Sequence, residues 1–204
     1  MRALLLVDLQ YDFMPGGALA VPEGDAVVPL ANRLMDKFDL VTASQDWHPA
    51  DHGSFASRHP GAKPGDRIEL DGLPQTLWPD HCVQGTRGAE LHDDLRIGEI
   101  DRIFRKGQDR LVDSYSAFYD NARRRSTGLG EALREQEVDE LYVMGLATDY
   151  CVLYSVLDAA ELGFKTVVVA DGCRGIDLTP GDVEAAWEKM RIAGRVIRSK
   201  EILG

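Results

Sequence analysis

Short unbroken apolar runs and longer stripes of helical period take turns along this chain. Ala3 to Leu9 is continuous and apolar as far as Asp8, the signature of a central parallel strand covered on both faces. From Asp25 to Phe38 the residues Val28, Leu30, Ala31, Leu34, Met35 and Phe38 recur at helical spacing, and Asp39 to Gln45 returns to a strand. The opening is therefore β-α-β with a right-handed crossover. Further strands are predicted at Asp101–Gly107, 140–145, Lys165–Ala170 and Arg195–Ile197. Helices are predicted from about Gly128 to Gln136, through Val152, Leu153, Val156, Leu157 and Ala160 to a stop at Gly163, and from Thr179-Pro180 to Ala193 with N-cap and N1 proline in place. A turn is expected at 171–175. The alternation predicts an α/β fold: one doubly wound, mostly parallel sheet of five or six strands with helices on both faces. We expect a single domain over 1–204, with an insertion around 46–99 that has no sustained period and holds Pro49, Pro60, Pro64, Pro74 and Pro79. Loops of that length inside a compact domain are usually functional.

The chain is organised around residues 141–153, a buried strand that ends at a glycine, turns a corner and enters a helix whose first turn carries Cys151. Thr148 or Asp149 is available as N-cap. Unpaired N–H groups and the positive end of the helix dipole there favour a thiolate and could receive an oxyanion. Taken alone, a cysteine beside valine and leucine is more often a small core residue. What shifts the balance is the company it keeps. In open α/β sheets the carboxyl ends of the strands face the ligand crevice. Asp8 and Lys106 end the first and third predicted strands, so both land there. The second strand delivers Asp46 and His48, two residues apart and hence on the same side of extended chain. His81, late in the long loop, adds a third donor. One carboxylate and two imidazoles leave coordination positions open, which suits a catalytic or substrate-holding metal better than a closed structural one. Cys82 points away from His81 on extended chain and reads as a packed thiol. His52 is an additional candidate ligand, while His59 and His92 read as ordinary loop histidines. Phe13 could form an aromatic wall, and Trp78 could stack on a flat substrate or anchor the loop.

Composition narrows the classes. The formal charge of −11, with no basic run longer than Arg123-Arg124-Arg125, argues against nucleic acid or an anionic membrane as partner. No apolar segment approaches membrane-spanning length, and the N-terminus goes straight into Ala3-Leu4-Leu5 without a basic leader, which predicts a cytoplasmic protein. Three cysteines without paired spacing fit a reducing compartment and leave a thiol free for chemistry.

The ordered set Val7-Asp8-Leu9-Gln10-Tyr11-Asp12-Phe13, Ser44-Gln45-Asp46-Trp47-His48, Asp71-Gly72-Leu73-Pro74-Gln75, Trp78-Pro79-Asp80-His81-Cys82-Val83, Lys106-Gly107 and 145–152 resembles the nicotinamidase/pyrazinamidase family of the isochorismatase-like hydrolases. The resemblance covers essentially the whole chain. It implies a catalytic triad of Asp8, Lys106 and Cys151, and a divalent metal on Asp46, His48 and His81, zinc foremost, with iron or manganese as alternatives. It also implies a cis peptide at Leu146-Ala147 that turns the N–H groups of Ala147 and Cys151 into an oxyanion hole. His52 matches a ligand found in only some members and stays outside the expected set. The implied reaction is hydrolysis of nicotinamide, and of pyrazinamide as well, to acid and ammonia through a cysteine thioester, a step of NAD salvage. The ring would lie between Phe13 and Trp78. The expected partner is thus a small amide, with a homo-oligomer left open. The alternatives are another member of the superfamily acting on a carbamoyl or ureido substrate, a hydrolase with metal hydroxide as nucleophile, and a non-catalytic binding module. Isochorismate hydrolysis is disfavoured because it needs no cysteine nucleophile.

Overall fold

A computed structural model describes residues 1–204. Its centre is β1 (Arg2–Val7), in which Ala3 to Val7 are fully buried. Burial of leucine stabilises by roughly 1.5–3 kcal/mol per side chain, so Leu4, Leu5 and Leu6 alone explain why this run takes the middle position. β1 lies between β2 (Leu40–Asp46) and β6 (Glu140–Leu146). Outside them stand β5 (Arg102–Lys106) on one side, and β7 (Lys165–Arg174) and β8 (Arg195–Ile197) on the other. The order is β5-β2-β1-β6-β7-β8 and every pair is parallel. The sheet therefore has six strands, and its order reverses at β1, the switch point beside which ligands bind in such folds.

The helices are α1 (Val27–Met35), α2 (Leu129–Glu135), α3 (Leu153–Glu161), α4 (Asp182–Ala193) and α5 (Lys200–Leu203). β6 and β1 approach closely at Gly145, where φ is +132° and a Cβ would stand 2.2 Å from the Val7 carbonyl oxygen. Only glycine satisfies both the backbone angle and the gap. No helix is long and apolar enough to cross a membrane.

Four local expectations change. The turn after β6 is a wide π-helical one, Thr148–Val152, and α3 begins only at Leu153. Neither Thr148 nor Asp149 caps it: the N-cap is Ala147, without a side-chain bond, and the Asp149 carboxylate instead accepts the N–H groups of Ile176 and Asp177. β7 runs on through the expected turn, because its pairing with β6 slips at a bulge and resumes at Cys173 and Arg174. α4 starts at Asp182 after Gly181, which has φ +102°, so the Thr179-Pro180 start lies outside the helix. Finally, the stretch at 46–99 contains an antiparallel hairpin, β3 (Arg67–Leu70) with β4 (Leu73–Thr76). Its turn, Asp71-Gly72, has φ of 50° and 80°, both positive as in a type I′ connection.

Candidate active site

Strand ends bring the chemistry together. Asp8 directly follows β1, and its Oδ1 accepts the Ser44 hydroxyl of β2 at 2.7 Å. Parallel pairing sets Asp46 at the end of β2 opposite Lys106 at the end of β5. The Lys106 side chain is wholly buried; its Nζ lies 3.0 Å from Asp8 Oδ2, 3.0 Å from Asp46 Oδ1 and 2.8 Å from the Ser114 carbonyl oxygen. Its distance to Cys151 Sγ, brought in by the π-helical turn, is 3.4 Å. A charge taken out of water survives only if paired, and here three oxygens do that work. Burial alone would push Lys106 down, but Asp46 and Asp8 outweigh it and hold the ammonium well above the usual lysine range.

Burial pushes Asp8 up from the ordinary carboxylate value, against the pull of Lys106. Burial also pushes the Cys151 thiol well up, and Lys106 only partly offsets it. The expected helix start favours a thiolate, but Cys151 is 7 % exposed, and desolvation of the anion exceeds what the one shared ammonium returns. The resting pair is a thiol beside a carboxylate of raised basicity.

The expected metal donors also converge. Asp46 Oδ2 lies 3.1 Å from His48 Nε2 and 3.6 Å from His81 Nε2, all three residues being buried. His48 Nδ1 lies 2.9 Å from the Gly107 carbonyl oxygen and His81 Nδ1 lies 2.8 Å from that of Pro79. A carbonyl can only accept, so each Nδ1 carries the proton and each Nε2 turns a lone pair toward Asp46. Lone pairs and a carboxylate oxygen facing one another repel unless a cation or an extra proton stands between them. His48 Nε2 has no hydrogen-bond partner, and Lys106 neutralises only one of the two buried carboxylates, Asp8 and Asp46. The residues therefore fit a divalent ion. His52 packs against His48 with ring centroids 4.4 Å apart, and its own Nε2 is unpartnered. With His48 and Asp113 it forms a second, overlapping donor group. Cys82 is fully buried with its thiol pushed well up by burial, as expected of a packed thiol.

Phe13, Trp78, Asp46, His81, Ala147 and Cys151 line one cavity of about 20 Å³. Every expected site residue except His48 and the two around Lys106's far end, Asp8 and Lys106 itself, thus faces it directly. The Leu146-Ala147 peptide is cis, and the Ala147 N–H makes no hydrogen bond within the protein. Residues that sequence reasoning passed over complete the walls: Leu19, Asp113, Tyr115, Tyr150 and Ile176. Ser44 was legible, since it stands two residues before Asp46 on the same strand and so on the same side. Tyr115 was not, because the irregular segment that carries it has no period.

A cysteine, a buried carboxylate–ammonium pair and a donor set for a divalent ion are thus gathered at the switch point of a parallel sheet. The chain belongs to the isochorismatase family, whose domain matches residues 2–201. It is 58% identical to the nicotinamidase of Escherichia coli (strain K12) over 200 residues, 96% of this chain and 93% of that protein. Its structure resembles that of an Acinetobacter baumanii nicotinamidase/pyrazinamidase with a TM-score of 0.95 at 47% identity, covering 99% of this chain and 98% of the other. It also resembles the pyrazinamidase of Pyrococcus horikoshii in complex with zinc, with a TM-score of 0.76 at 37% identity over 97% of this chain and 98% of that one.

Proposed function

We propose that this protein is a nicotinamidase that hydrolyses nicotinamide to nicotinate and ammonia with Cys151 as nucleophile. The observation that carries the reading is the cluster around Cys151, with Lys106 Nζ 3.4 Å from Sγ and 3.0 Å from Asp8 Oδ2, in a chain 58% identical to a nicotinamidase. Because burial keeps Cys151 as a thiol, attack needs a base at the moment of bond formation. Asp8, pushed up in basicity, takes that proton while Sγ adds to the carboxamide carbon. Lys106 balances the negative charge passing between Sγ and Asp8. The free N–H of Ala147 and that of Cys151 hold the oxyanion. Collapse of the adduct returns the proton from Asp8 to the leaving nitrogen, so ammonia departs and a thioester remains. Asp8 then draws a proton from water as its oxygen attacks the thioester; nicotinate leaves and the thiol is restored.

Asp46, His48 and His81 would hold a divalent ion, zinc being the one bound in the archaeal pyrazinamidase of like fold. Such an ion supplies a Lewis-acidic contact for a heteroaromatic nitrogen. Phe13 and Trp78 provide apolar faces for the ring.

Ammonia release from nicotinamide tests the reading. The wild-type chain should turn over, and Cys151→Ala should lose nearly all activity with fold and metal content unchanged, whereas Cys82→Ala and Cys173→Ala should keep most of it. A Cys151→Ala protein retaining about a tenth of the rate would rule out the thioester route.

A further inference from the structure

The cavity over Cys151 measures about 20 Å³, room for roughly one water by the ~10–15 Å³ that a single molecule requires. A six-membered ring reaches the thiol only if a wall moves. On the other side of Tyr115 and Tyr150, which line both spaces, lies a second cavity of about 380 Å³ between β4 of the hairpin and helices α3 and α4.

The two shared tyrosines are held differently. The Tyr115 hydroxyl accepts from Trp78 Nε1 at 3.3 Å and from Gln75 Nε2 at 3.4 Å, which ties it to the hairpin. Tyr150 makes only edge contacts, 4.8 Å from Trp78 and 5.4 Å from Tyr115 between ring centroids, and its ring is part-exposed. It rides on the π-helical turn next to Cys151. The outer cavity is also polarised. Its two acids are already engaged, Asp149 by the N–H groups of Ile176 and Asp177, and Asp182 by that of Thr179. Its two cations, Arg67 and Lys189, have neither a carboxylate nor a hydrogen-bond partner in the fold. Arg67 and Lys189 are thus free to meet an incoming anion at this opening, while Asp149 and Asp182 keep their charge but are held by backbone N–H groups.

We propose that this outer cavity is the vestibule through which ligands reach and leave Cys151, that Tyr150 is the movable partition, and that Arg67 and Lys189 draw aryl carboxylates through it. For the carboxylate product this rests on the amidase reading above; for the passage itself it does not. Tyr150 swinging toward the vestibule joins the two spaces without disturbing the hydrogen-bonded Trp78–Tyr115–Gln75 wall. A neutral amide enters past it, and the anionic acid formed inside leaves past Arg67 and Lys189.

Alkylation of Cys151 tests the passage independently of turnover. Ala185 is exposed on α4 and lines the vestibule, so Ala185→Trp fills it from one side, and Thr76→Trp on β4 fills it from the other. Each, folded as judged by its melting curve, should slow iodoacetamide alkylation of Cys151 by about tenfold, with kcat/KM for nicotinamide falling in parallel. The double variant Arg67→Glu, Lys189→Glu should lower the ratio of iodoacetate to iodoacetamide rates by about threefold or more at low salt, the loss shrinking as salt is added. If both tryptophan variants alkylate at the wild-type rate, or if Leu19→Trp on the opposite rim slows the reagent while they do not, the passage lies elsewhere and the proposal falls. A protein that shows the alkylation effects but releases no ammonia from nicotinamide would keep the vestibule and sink the amidase reading instead.

Discussion

Ser44 donates to Asp8 and lowers the basicity that burial raises, so a single hydroxyl tunes the proposed base. Ser44→Ala should let Asp8 rise further. The acidic limb of kcat/KM for nicotinamide should then move to higher pH, because Asp8 must be ionised to accept the thiol proton; an unmoved limb would show that another group sets it. His52 titrates in the other direction. Burial and the nearby His48 push it from 6.5 down to about 4, so the native state refuses a proton that the unfolded chain accepts. Its contribution is whole above pH 6.5 and is lost as pH falls toward 4, a drop of about 3 kcal/mol at one unit per 1.36 kcal/mol. Urea midpoints of metal-free protein across that window should show the decline, and His52→Gln should flatten it. At this scale the sequence was legible through position and spacing: Asp8 and Lys106 were named as strand ends, Asp46 from its spacing to His48, and Cys151 from the turn that follows a buried strand. The protonation state of Cys151 was not legible, because it depends on how many apolar neighbours exclude water from the sulfur.

Two glycines in the strand framework separate a conformational role from a packing role. Gly72 lies at φ +80° in the hairpin turn with open space where a Cβ would stand, so Gly72→Ala should cost only about 1 kcal/mol. Gly145 combines φ +132° with a Cβ position 2.2 Å from the Val7 oxygen, so Gly145→Ala must part β6 from β1 and should cost at least about 3 kcal/mol. Chemical denaturation of the two variants side by side checks the ordering. β1 and β6 were read from apolar runs because a strand buried on both faces needs no partner to be recognised. The β3–β4 hairpin was missed although Asp71-Gly72 is a strong turn signal, because its two strands have only four residues each and carry no apolar run. The late start of α4 was missed for a related reason. Thr179-Pro180 has the chemistry of a helix start, yet the Asp182 carboxylate takes the Thr179 N–H and Gly181 provides the left-handed step, so the helix begins after them.

Across the whole molecule, the metal donors, the Asp8–Lys106 pair and the nucleophile meet from the ends of β1, β2, β5 and β6 and a long loop, and substrate shape reports on that union. Nicotinamide and pyrazinamide both offer a ring nitrogen to an ion on Asp46, His48 and His81; benzamide has the same ring size and nothing to coordinate. Loss of that contact should lower kcat/KM for benzamide by roughly a hundredfold, about 3 kcal/mol of transition-state stabilisation. Chelation or His81→Ala should then slow nicotinamide and narrow the gap between the two amides. Equal constants in the metal-loaded enzyme would exclude anchoring by the ion, and a gap that survives metal removal would transfer recognition to the Phe13 and Trp78 faces.

The sequence by itself determined the parallel α/β architecture, the central place of β1, and the residues proposed for the reaction, because strand burial and strand ends are local properties of a run of side chains. It also carried the donor types for a metal, since Asp46 and His48 share one side of a strand. Only the tertiary structure decided that Cys151 is buried, that burial pushes its thiol up, and that Tyr115 and Tyr150 line both an inner pocket and an outer one. Those depend on how segments far apart in the chain meet, the hairpin facing α3 and α4 across the outer cavity and Lys106 against two carboxylates from other strands. Desolvation and enclosure are sums over neighbours, and the chain order does not say which neighbours will meet.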